Sequence, residues 1–343
     1  MATKEEISEK LSHILVPGVG RSLNKMRLVQ GIELEGETVR LTLSTTALPD
    51  QAKEWMEKKA REEVASLPGV KDVQLVFVGS KPKDINQVRR TVAVMSGKGG
   101  VGKSLVTALL AIALNRKGYD VGMLDADITG PSIPKMFGVN WRPSGGESGI
   151  LPVTSRGGIE IMSINLLLPH EDDAVIWRGP LISKAITQFW EEVLWGELDF
   201  LLVDLPPGTA DAALTVMQSL PLNGVVIVFT PQDLAAMVVR KAVKMARDSM
   251  HIPILGVVEN MSYFLIPDTG KRLEVFGQSK GMEMARAAEA PLLGQLPLDP
   301  EIARLCDEGL IERYSSEVFD SFSQSFIEAI SGLVPEKQHP GST

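Results

Sequence analysis

The sequence predicts an α/β fold, a doubly wound and mostly parallel sheet that is preceded by a small α+β domain. From Thr91 onward, short apolar runs such as TVAVMS and DFLLVDLPP alternate with longer helical segments. Runs that are apolar throughout are typical of parallel strands covered on both faces. Aromatic residues make up only 5% of the chain, which suits tightly packed strands. The alternation of strands and helices therefore indicates a doubly wound sheet.

The first 80 residues have a different pattern, in which a helix, a hairpin, a second helix and a third strand follow one another. GIELEGETVRLTLST has the alternation of two paired strands, and PDQAKEWMEKKAREEVASL is an amphipathic helix. We therefore expect a small α+β domain at residues 1–80 and a solvated linker at 81–90. The sheet domain is expected over 91–333, and a disordered tail over 334–343.

The composition limits the classes of partner. The 343 residues carry a formal net charge of -8, which argues against binding to nucleic acid or to an anionic membrane. No apolar run approaches the roughly 20 residues that span a bilayer. The single cysteine, Cys306, cannot form an intrachain disulfide, and this fits a reducing compartment. We expect a cytoplasmic protein with neither nucleic-acid nor membrane partners.

The strongest motif is GKGGVGKS, which lies between an apolar strand and a helix. Its glycines let backbone N–H groups turn inward around phosphate oxygens, and the helix directs its positive end at them. Lys103 adds a full charge for the β- and γ-phosphates, and the Ser104 hydroxyl can bind Mg²⁺. The motif predicts a site for ATP and Mg²⁺ that is formed by Gly97, Lys98, Gly99, Gly100, Val101, Gly102, Lys103 and Ser104.

Acidic residues follow two of the predicted strands. Asp125 and Asp127 are two positions apart, so on a strand they face the same side, toward the crevice where parallel sheets bind ligands. Asp204 ends an apolar run, where a buried carboxylate needs a partner such as Mg²⁺. The stiff turn that follows allows the Gly208 backbone to approach the γ-phosphate.

The second lysine of the loop makes the pattern K-G-G-x-G-K-S resemble the deviant Walker A ATPases. This resemblance implies that Lys98 reaches the nucleotide of the partner subunit in an ATP-sandwich homodimer. It also implies that Asp127 positions the attacking water and that Asp125 supports the Mg²⁺ shell. The catalytic residues are then Lys98, Lys103 and Asp127, and the metal-site residues are Ser104, Asp125 and Asp204.

Several later motifs narrow the match. LDADITGPSIPKMFG, IWRGP, DLPPGTAD, TPQDLA, ENMSYF and LPLDPEI occur in this order over residues 91–330 and resemble the Mrp/ApbC family of iron–sulfur cluster carriers. SLPGVKDVQLVF resembles part of a small domain found in other cluster-assembly factors. The resemblance implies an ATP-hydrolysing homodimer that carries [4Fe–4S] clusters or acts as a scaffold, with apo iron–sulfur proteins or assembly factors as partners. It also implies that Asn260 contacts adenine, with Asp299 nearby.

The chain departs from this family where cluster ligands are expected. A C-P-x-C segment after MSYF would supply two thiolates per subunit, but the aligned positions are Ile266 and Thr269. Cys306 would supply at most two thiolates per dimer and is better interpreted as a buried, inert cysteine. Two alternatives therefore stay open: an ATP-switched protein-binding module without a metal cluster, and a spatial-positioning ATPase. The acidic C-terminal helix disfavours the second, because membrane-anchoring helices are usually basic.

Overall fold

The computed structural model describes residues 2–127, 130, 132–167, 179–209, 211–232 and 235–333. Its helices are α1 (Lys4–Ser12), α2 (Asp50–Ala65), α3 (Pro82–Ile85), α4 (Lys103–Arg116), α5 (Ile133–Met136), α6 (Gly179–Glu192), α7 (Asp211–Ser219), α8 (Ala235–Val243), α9 (Gly281–Ala288), α10 (Pro300–Asp307) and α11 (Glu317–Ile330). A π-helical turn, Lys244–Ser249, continues α8, and 3₁₀ turns lie at Ile164–Leu167, Ile311–Arg313 and Ser331–Leu333.

The strands are β1 (Val29–Glu35), β2 (Thr38–Ser44), β3 (Asp72–Val78), β4 (Gln87–Ser96), β5 (Val121–Asp125), β6 (Gly145–Gly146), β7 (Gly149–Ile150), β8 (Val153–Thr154), β9 (Glu160–Ser163), β10 (Glu197–Asp204), β11 (Gly224–Phe229), β12 (Ile254–Glu259), β13 (Phe264–Leu265), β14 (Arg272–Leu273) and β15 (Leu292–Gln295). None of the described helices is both long and apolar enough to cross a bilayer.

The N-terminal unit has the predicted order of helix, hairpin, helix and strand. Its three strands lie in the order β1-β2-β3, with β1 and β2 antiparallel and β2 and β3 parallel. In α2 the residues Ala52, Met56, Ala60 and Val64 are buried, and their spacing of four places them on one face of the helix. That face packs with α1 and the sheet into a separate small core.

The second unit is an eight-stranded sheet in the order β15-β12-β11-β4-β10-β5-β9-β8. All neighbouring strands are parallel except β8 and β9, which are antiparallel. Successive residues of each strand point to opposite faces, so that Val92 and Val94 face one core and Ala93 and Met95 face the other. Helices α4, α10 and α11 cover the first face, and α6 to α9 cover the second. The prediction of a doubly wound sheet is confirmed.

The segment predicted as a linker, residues 81–90, is instead folded. It contains α3 and the first residues of β4, which pair with β10 from Gln87 onward. The charged side chains that suggested a connector are exposed or partly exposed on these elements, whereas Pro82 and Ile85 are buried. Arg89, for example, lies 2.7 Å from Glu197 in an ion pair on the neighbouring strand. The predicted tail, residues 334–343, lies outside the part of the chain that the structure describes.

A loop of the small domain lies beneath the amino-terminal ends of several strands of the large sheet. Arg21 donates to Glu160, the first residue of β9, at 2.7 Å, and to the carbonyl of Glu197, the first residue of β10, at 2.5 Å. Lys25 Nζ lies 2.6 Å from Asp120, which immediately precedes β5. These contacts fix the small domain to the strands whose opposite ends carry the predicted acidic site residues.

The Arg21–Glu160 pair is buried, and burial disfavours the charged form of Glu160. Glu160 is fully buried, and no donor among the described residues bonds to its Oε2 atom. Burial raises the pKa of Glu160 to about 7, and the Arg21 guanidinium offsets only part of that effect. Removing one partner of such a pair leaves an uncompensated group inside the protein.

We predict that Arg21→Met lowers the free energy of unfolding by about 3–5 kcal/mol, because Glu160 is then buried without its cation. Urea denaturation followed by tryptophan fluorescence measures this change. The double variant Arg21→Met/Glu160→Gln is the control, and we expect it to recover part of the loss. A double variant as unstable as the single one would contradict this assignment.

The same pair gives a pH dependence with a defined sign. The folded-state pKa of Glu160 is about 7 and lies above its ordinary value of 4.5, so protonation favours the folded state. The contribution of Glu160 is therefore present at acidic pH and is lost as the pH rises through this window. Without Arg21 the pKa rises further, so the stability deficit of Arg21→Met should grow between pH 5 and pH 8. A deficit that is independent of pH would exclude this origin.

Candidate nucleotide-binding site

The glycine-rich loop connects the end of β4, at Ser96, to the start of α4, at Lys103. Gly100 and Gly102 have φ values of 78° and 76°, in the left-handed region that favours glycine. A Cβ atom at Gly102 would lie 2.2 Å from the side-chain nitrogen of Asn260. The strand, loop and helix therefore have the arrangement that the motif predicts, and position 102 has no room for a side chain.

Lys103 is a buried cation that lies among acidic side chains. Its ammonium is 2.8 Å from Asp204 Oδ2 and 3.4 Å from Asp127 Oδ2, and the side chain is 5% exposed. These contacts are ion pairs, but the ammonium forms no hydrogen bond with any of the described residues. A buried ammonium with unused donors at the start of a helix is suited to binding phosphate.

Asp204 is held by two hydroxyl groups from α4. The Ser104 hydroxyl donates to Oδ2 at 2.5 Å, and the Thr107 hydroxyl lies 2.7 Å from Oδ1. Sequence reasoning missed Thr107. The available signal was its position, one helical turn after Lys103 and therefore on the same face of the helix.

Asp125 and Asp204 lie side by side because β5 and β10 are paired in register at these residues. Asp125 is fully buried, and burial together with the charge of Asp204 raises its pKa well above the ordinary value. Ser163 donates to Asp125 Oδ2 at 3.1 Å, and the backbone N–H of Asp127 donates to Oδ1 at 3.2 Å. The three predicted carboxylates thus meet at one edge of the sheet, beside Lys103.

This arrangement fits a magnesium ion that is bound together with nucleotide. Within the described ranges, no three His, Cys, Asp or Glu side chains form a self-contained metal site. Mg²⁺ that is bound through phosphates needs only one or two protein ligands. The Ser104 hydroxyl and the Asp204 carboxylate, already in contact, are the residues that would hold it.

Two predicted phosphate contacts are engaged elsewhere. The Lys98 ammonium donates to the Gln232 side chain of its own chain, and the Ser96 hydroxyl donates to the Lys98 carbonyl at 2.9 Å. The Gly208 N–H, predicted to approach the γ-phosphate, donates to the Ser96 carbonyl at 3.0 Å. Its φ of 91° requires glycine at this position. Four residues of the segments that contain the predicted acidic residues, 125–132 and 204–211, lie outside the described residues: Ile128, Thr129, Pro131 and Ala210.

Asn260 and Asp299 differ in what they contact. Asn260 is 1% exposed, and its side-chain amide donates to the Val101 carbonyl at 2.9 Å, so that it contacts the glycine-rich loop itself. Asp299 is the N-cap of α10 and accepts from the Glu301 backbone at 2.9 Å and from the Tyr314 hydroxyl at 2.8 Å. Its carboxylate serves the helix cap, which is the ordinary role of an aspartate before a helix, and its position near the nucleotide stays a prediction.

The positions aligned with cluster ligands lie in the turn of the β13–β14 hairpin. The Ile266 N–H donates to the Lys271 carbonyl at 3.0 Å, and Thr269 is exposed. Neither side chain is a thiolate. Cys306 lies on α10, packed against the core, and burial raises the pKa of its thiol to about 11, which disfavours the ligating form. These residues do not fit an iron–sulfur cluster.

Comparison with known proteins places the chain in a family. Residues 87–331 match the family described as NUBPL iron-transfer P-loop NTPase, and residues 4–75 match the family described as iron-sulfur cluster assembly protein. The chain belongs to the NUBPL iron-transfer P-loop NTPase family. The family resemblance inferred from the sequence motifs is thereby confirmed.

Two relatives of this NTPase carry the same name, iron-sulfur cluster carrier protein. The one from Aquifex aeolicus is 37% identical, and the alignment covers 97% of this chain and 99% of the relative. The one from Methanocaldococcus jannaschii is 44% identical, with 73% and 88% covered.

Solved structures agree with the fold. A nucleotide-binding protein from Archaeoglobus fulgidus in complex with ADP is 46% identical, with a TM-score of 0.62, and the match covers 68% of this chain and 92% of that one. The cell division ATPase MinD from Pyrococcus furiosus is 23% identical, with a TM-score of 0.52 and 72% and 100% covered. The MinD match shows a common fold.

We predict that Thr107→Val weakens Mg²⁺-dependent nucleotide binding by about tenfold, because Asp204 loses one of the hydroxyl groups that orient it. Titration of nucleotide with and without Mg²⁺ measures the effect. Thr107→Ser keeps the hydroxyl and is the matched control. If both variants bound Mg²⁺·nucleotide as the unchanged protein does, Thr107 would have no orienting role.

Proposed function

We propose that this protein is a Mg²⁺-dependent ATPase that acts as a homodimeric carrier or scaffold in cytoplasmic iron–sulfur cluster assembly. The observation that carries the ATPase assignment is the buried Lys103 ammonium, which lies at the glycine-rich loop beside Asp127 and Asp204. The role in cluster assembly is supported by family membership and by the relatives named iron-sulfur cluster carrier protein.

The residues of one subunit account for nucleotide binding. The backbone N–H groups of the loop and the Lys103 ammonium bind the phosphates, and Lys103 thereby exchanges a carboxylate partner for a phosphate. Ser104 and Asp204 would hold Mg²⁺, which would supply positive charge to neutralise the phosphates. Asp127, beside Lys103 and 8% exposed, orients the water that attacks the γ-phosphate.

Lys98 supplies the step that requires a dimer. In the single chain its ammonium bonds to Gln232, so Lys98 must leave Gln232 before it can reach the nucleotide of the partner subunit. Closure of the dimer then accompanies ATP binding, and hydrolysis relaxes the switch segments near Asp125 and around Gly208. The Gly208 N–H, bonded to Ser96, becomes available to phosphate only if this segment moves.

The cluster is cargo for which this chain lacks the usual ligands. Ile266 and Thr269 provide no thiolate, and Cys306 is disfavoured by its burial. A carrier role therefore requires ligands from a partner protein. The second candidate function is an ATP-switched protein-binding module, which the exposed apolar side chains Leu265 and Leu273 on the hairpin favour.

We predict that Lys103→Ala abolishes nucleotide turnover, because the buried cation at the phosphates is lost. Lys98→Ala should strongly reduce ATP hydrolysis and dimer formation while leaving the ATP affinity of the monomer nearly unchanged. Phosphate release, light scattering and calorimetric titration measure the three quantities. Lys117→Ala, at the exposed residue that follows α4, is the control. Normal turnover by Lys98→Ala would exclude a role for Lys98 across the dimer.

We predict that the protein binds no [4Fe–4S] cluster after anaerobic reconstitution with iron and sulfide. The double variant Ile266→Cys/Thr269→Cys should bind one cluster per dimer, because it places four thiolates at the two hairpins. Iron content and visible absorbance measure both results. Cys306→Ser, which removes the single natural cysteine, is the control. A cluster on the unchanged protein that disappears in Cys306→Ser would overturn the interpretation of Cys306 as inert.

A further inference from the structure

Two consecutive residues at the end of β12 contact two different parts of the molecule. Asn260 bonds to the glycine-rich loop through Val101, and its own N–H donates to the Phe229 carbonyl at 2.8 Å. Its amide nitrogen occupies the space that a side chain at Gly102 would need. Asn260 is therefore packed against the loop so closely that neither can shift alone.

The preceding residue, Glu259, is a fully buried carboxylate that collects four donors. Ser262 and Ser279 donate through their hydroxyls at 2.7 and 2.6 Å, the Lys280 backbone donates at 2.7 Å, and the Gln295 amide donates at 3.0 Å. These donors come from both ends of the segment that contains the β13–β14 hairpin and from β15. A buried carboxylate is stable only while such donors stay in place, so the segment is tied to Glu259.

Apart from Glu259, a few contacts of the described residues hold the base of the hairpin, including the Ser262 N–H, which donates to the Leu296 carbonyl at 2.9 Å. Tyr263 accepts from the Leu298 N–H at 2.7 Å, and Phe264 forms a single bridge with Leu298. The Arg272 guanidinium lies 4.2 Å from the centre of the Tyr263 ring. Beyond these contacts, Leu265 and Leu273 are 42% and 52% exposed. The position of the hairpin therefore depends largely on the segment ends that Glu259 holds.

We propose that Glu259 and Asn260 form a relay through which nucleotide at the glycine-rich loop sets the position of the β13–β14 hairpin; this rests on the proposed ATP site. Closing of the loop around phosphates moves Val101, and Asn260 moves with it. Glu259 follows because it is the adjacent residue, and its four donors carry the ends of the hairpin segment along. Met261, at a φ of 56°, is held in a conformation with little freedom to absorb the shift.

Hydrogen–deuterium exchange of the full chain tests the relay, with and without Mg²⁺ and a non-hydrolysable ATP analogue. In the unchanged protein, we expect nucleotide to slow exchange in peptides covering residues 262–280. In Glu259→Gln, nucleotide should bind nearly as tightly, but the slowing should be lost. Glu274→Gln, at an exposed position of the same segment, is the matched control and should keep the response.

The outcomes separate the two proposals. If calorimetry shows no nucleotide binding, the ATP site fails; if nucleotide binds without slowing exchange at 262–280, the relay fails. If Glu259→Gln speeds exchange by the same factor in both states, so that nucleotide still slows exchange at 262–280, Glu259 has a merely structural role and the relay is overturned. If Glu259→Gln is poorly folded, Asn260→Ser tests the other end at saturating nucleotide, where loss of the response supports the relay and its retention refutes it.

Discussion

The buried ion pair between Lys103 and Asp204 is the interaction on which the nucleotide site depends. Three carboxylates meet at the carboxyl ends of two paired strands, and Asp125 and Asp204 are both fully buried. Such a concentration of negative charge is unfavourable in the interior, and the single ammonium of Lys103 compensates only part of it. A further cation together with an anion at Lys103 would balance this charge, and the proposed Mg²⁺·ATP would supply both.

Contacts at both ends of the strands connect the small domain to the acidic site. At the amino-terminal edge, Arg21 binds Glu160 at the start of β9, and at the other end of the same four-residue strand Ser163 donates to Asp125. Lys25 holds the residue before β5, which ends at Asp125 itself. The small domain is thus bonded to the strands that place the acidic residues, so its docking contributes to the geometry of the site.

The fold class and the phosphate loop could be predicted because their signals are local. A strand, a glycine-rich loop and a helix occupy one continuous segment, and each acidic residue ends its own apolar run. The contacts of Thr107 and Glu259 were not predicted, because each depends on elements that only the fold brings together: Thr107 meets Asp204, 97 residues away, and Glu259 meets Gln295, 36 residues away. The role of Asp299 near the nucleotide stays a prediction from the family resemblance, whereas the local pattern of an aspartate before Pro300 indicates the helix cap that is observed.

The β13–β14 hairpin combines the missing cluster ligands with an attachment near the glycine-rich loop. Its turn lacks thiolates at Ile266 and Thr269, yet its segment is attached to a buried carboxylate one residue from the glycine-rich loop contact. The ligand chemistry of the turn and its attachment to Glu259 are physically independent, because the turn residues can change without disturbing the donors that Glu259 requires. A hairpin that moves with nucleotide would serve a cluster carrier and a protein-binding module equally well. What distinguishes the two functions is therefore the chemistry of the turn, and in this chain that chemistry is apolar and hydroxylic.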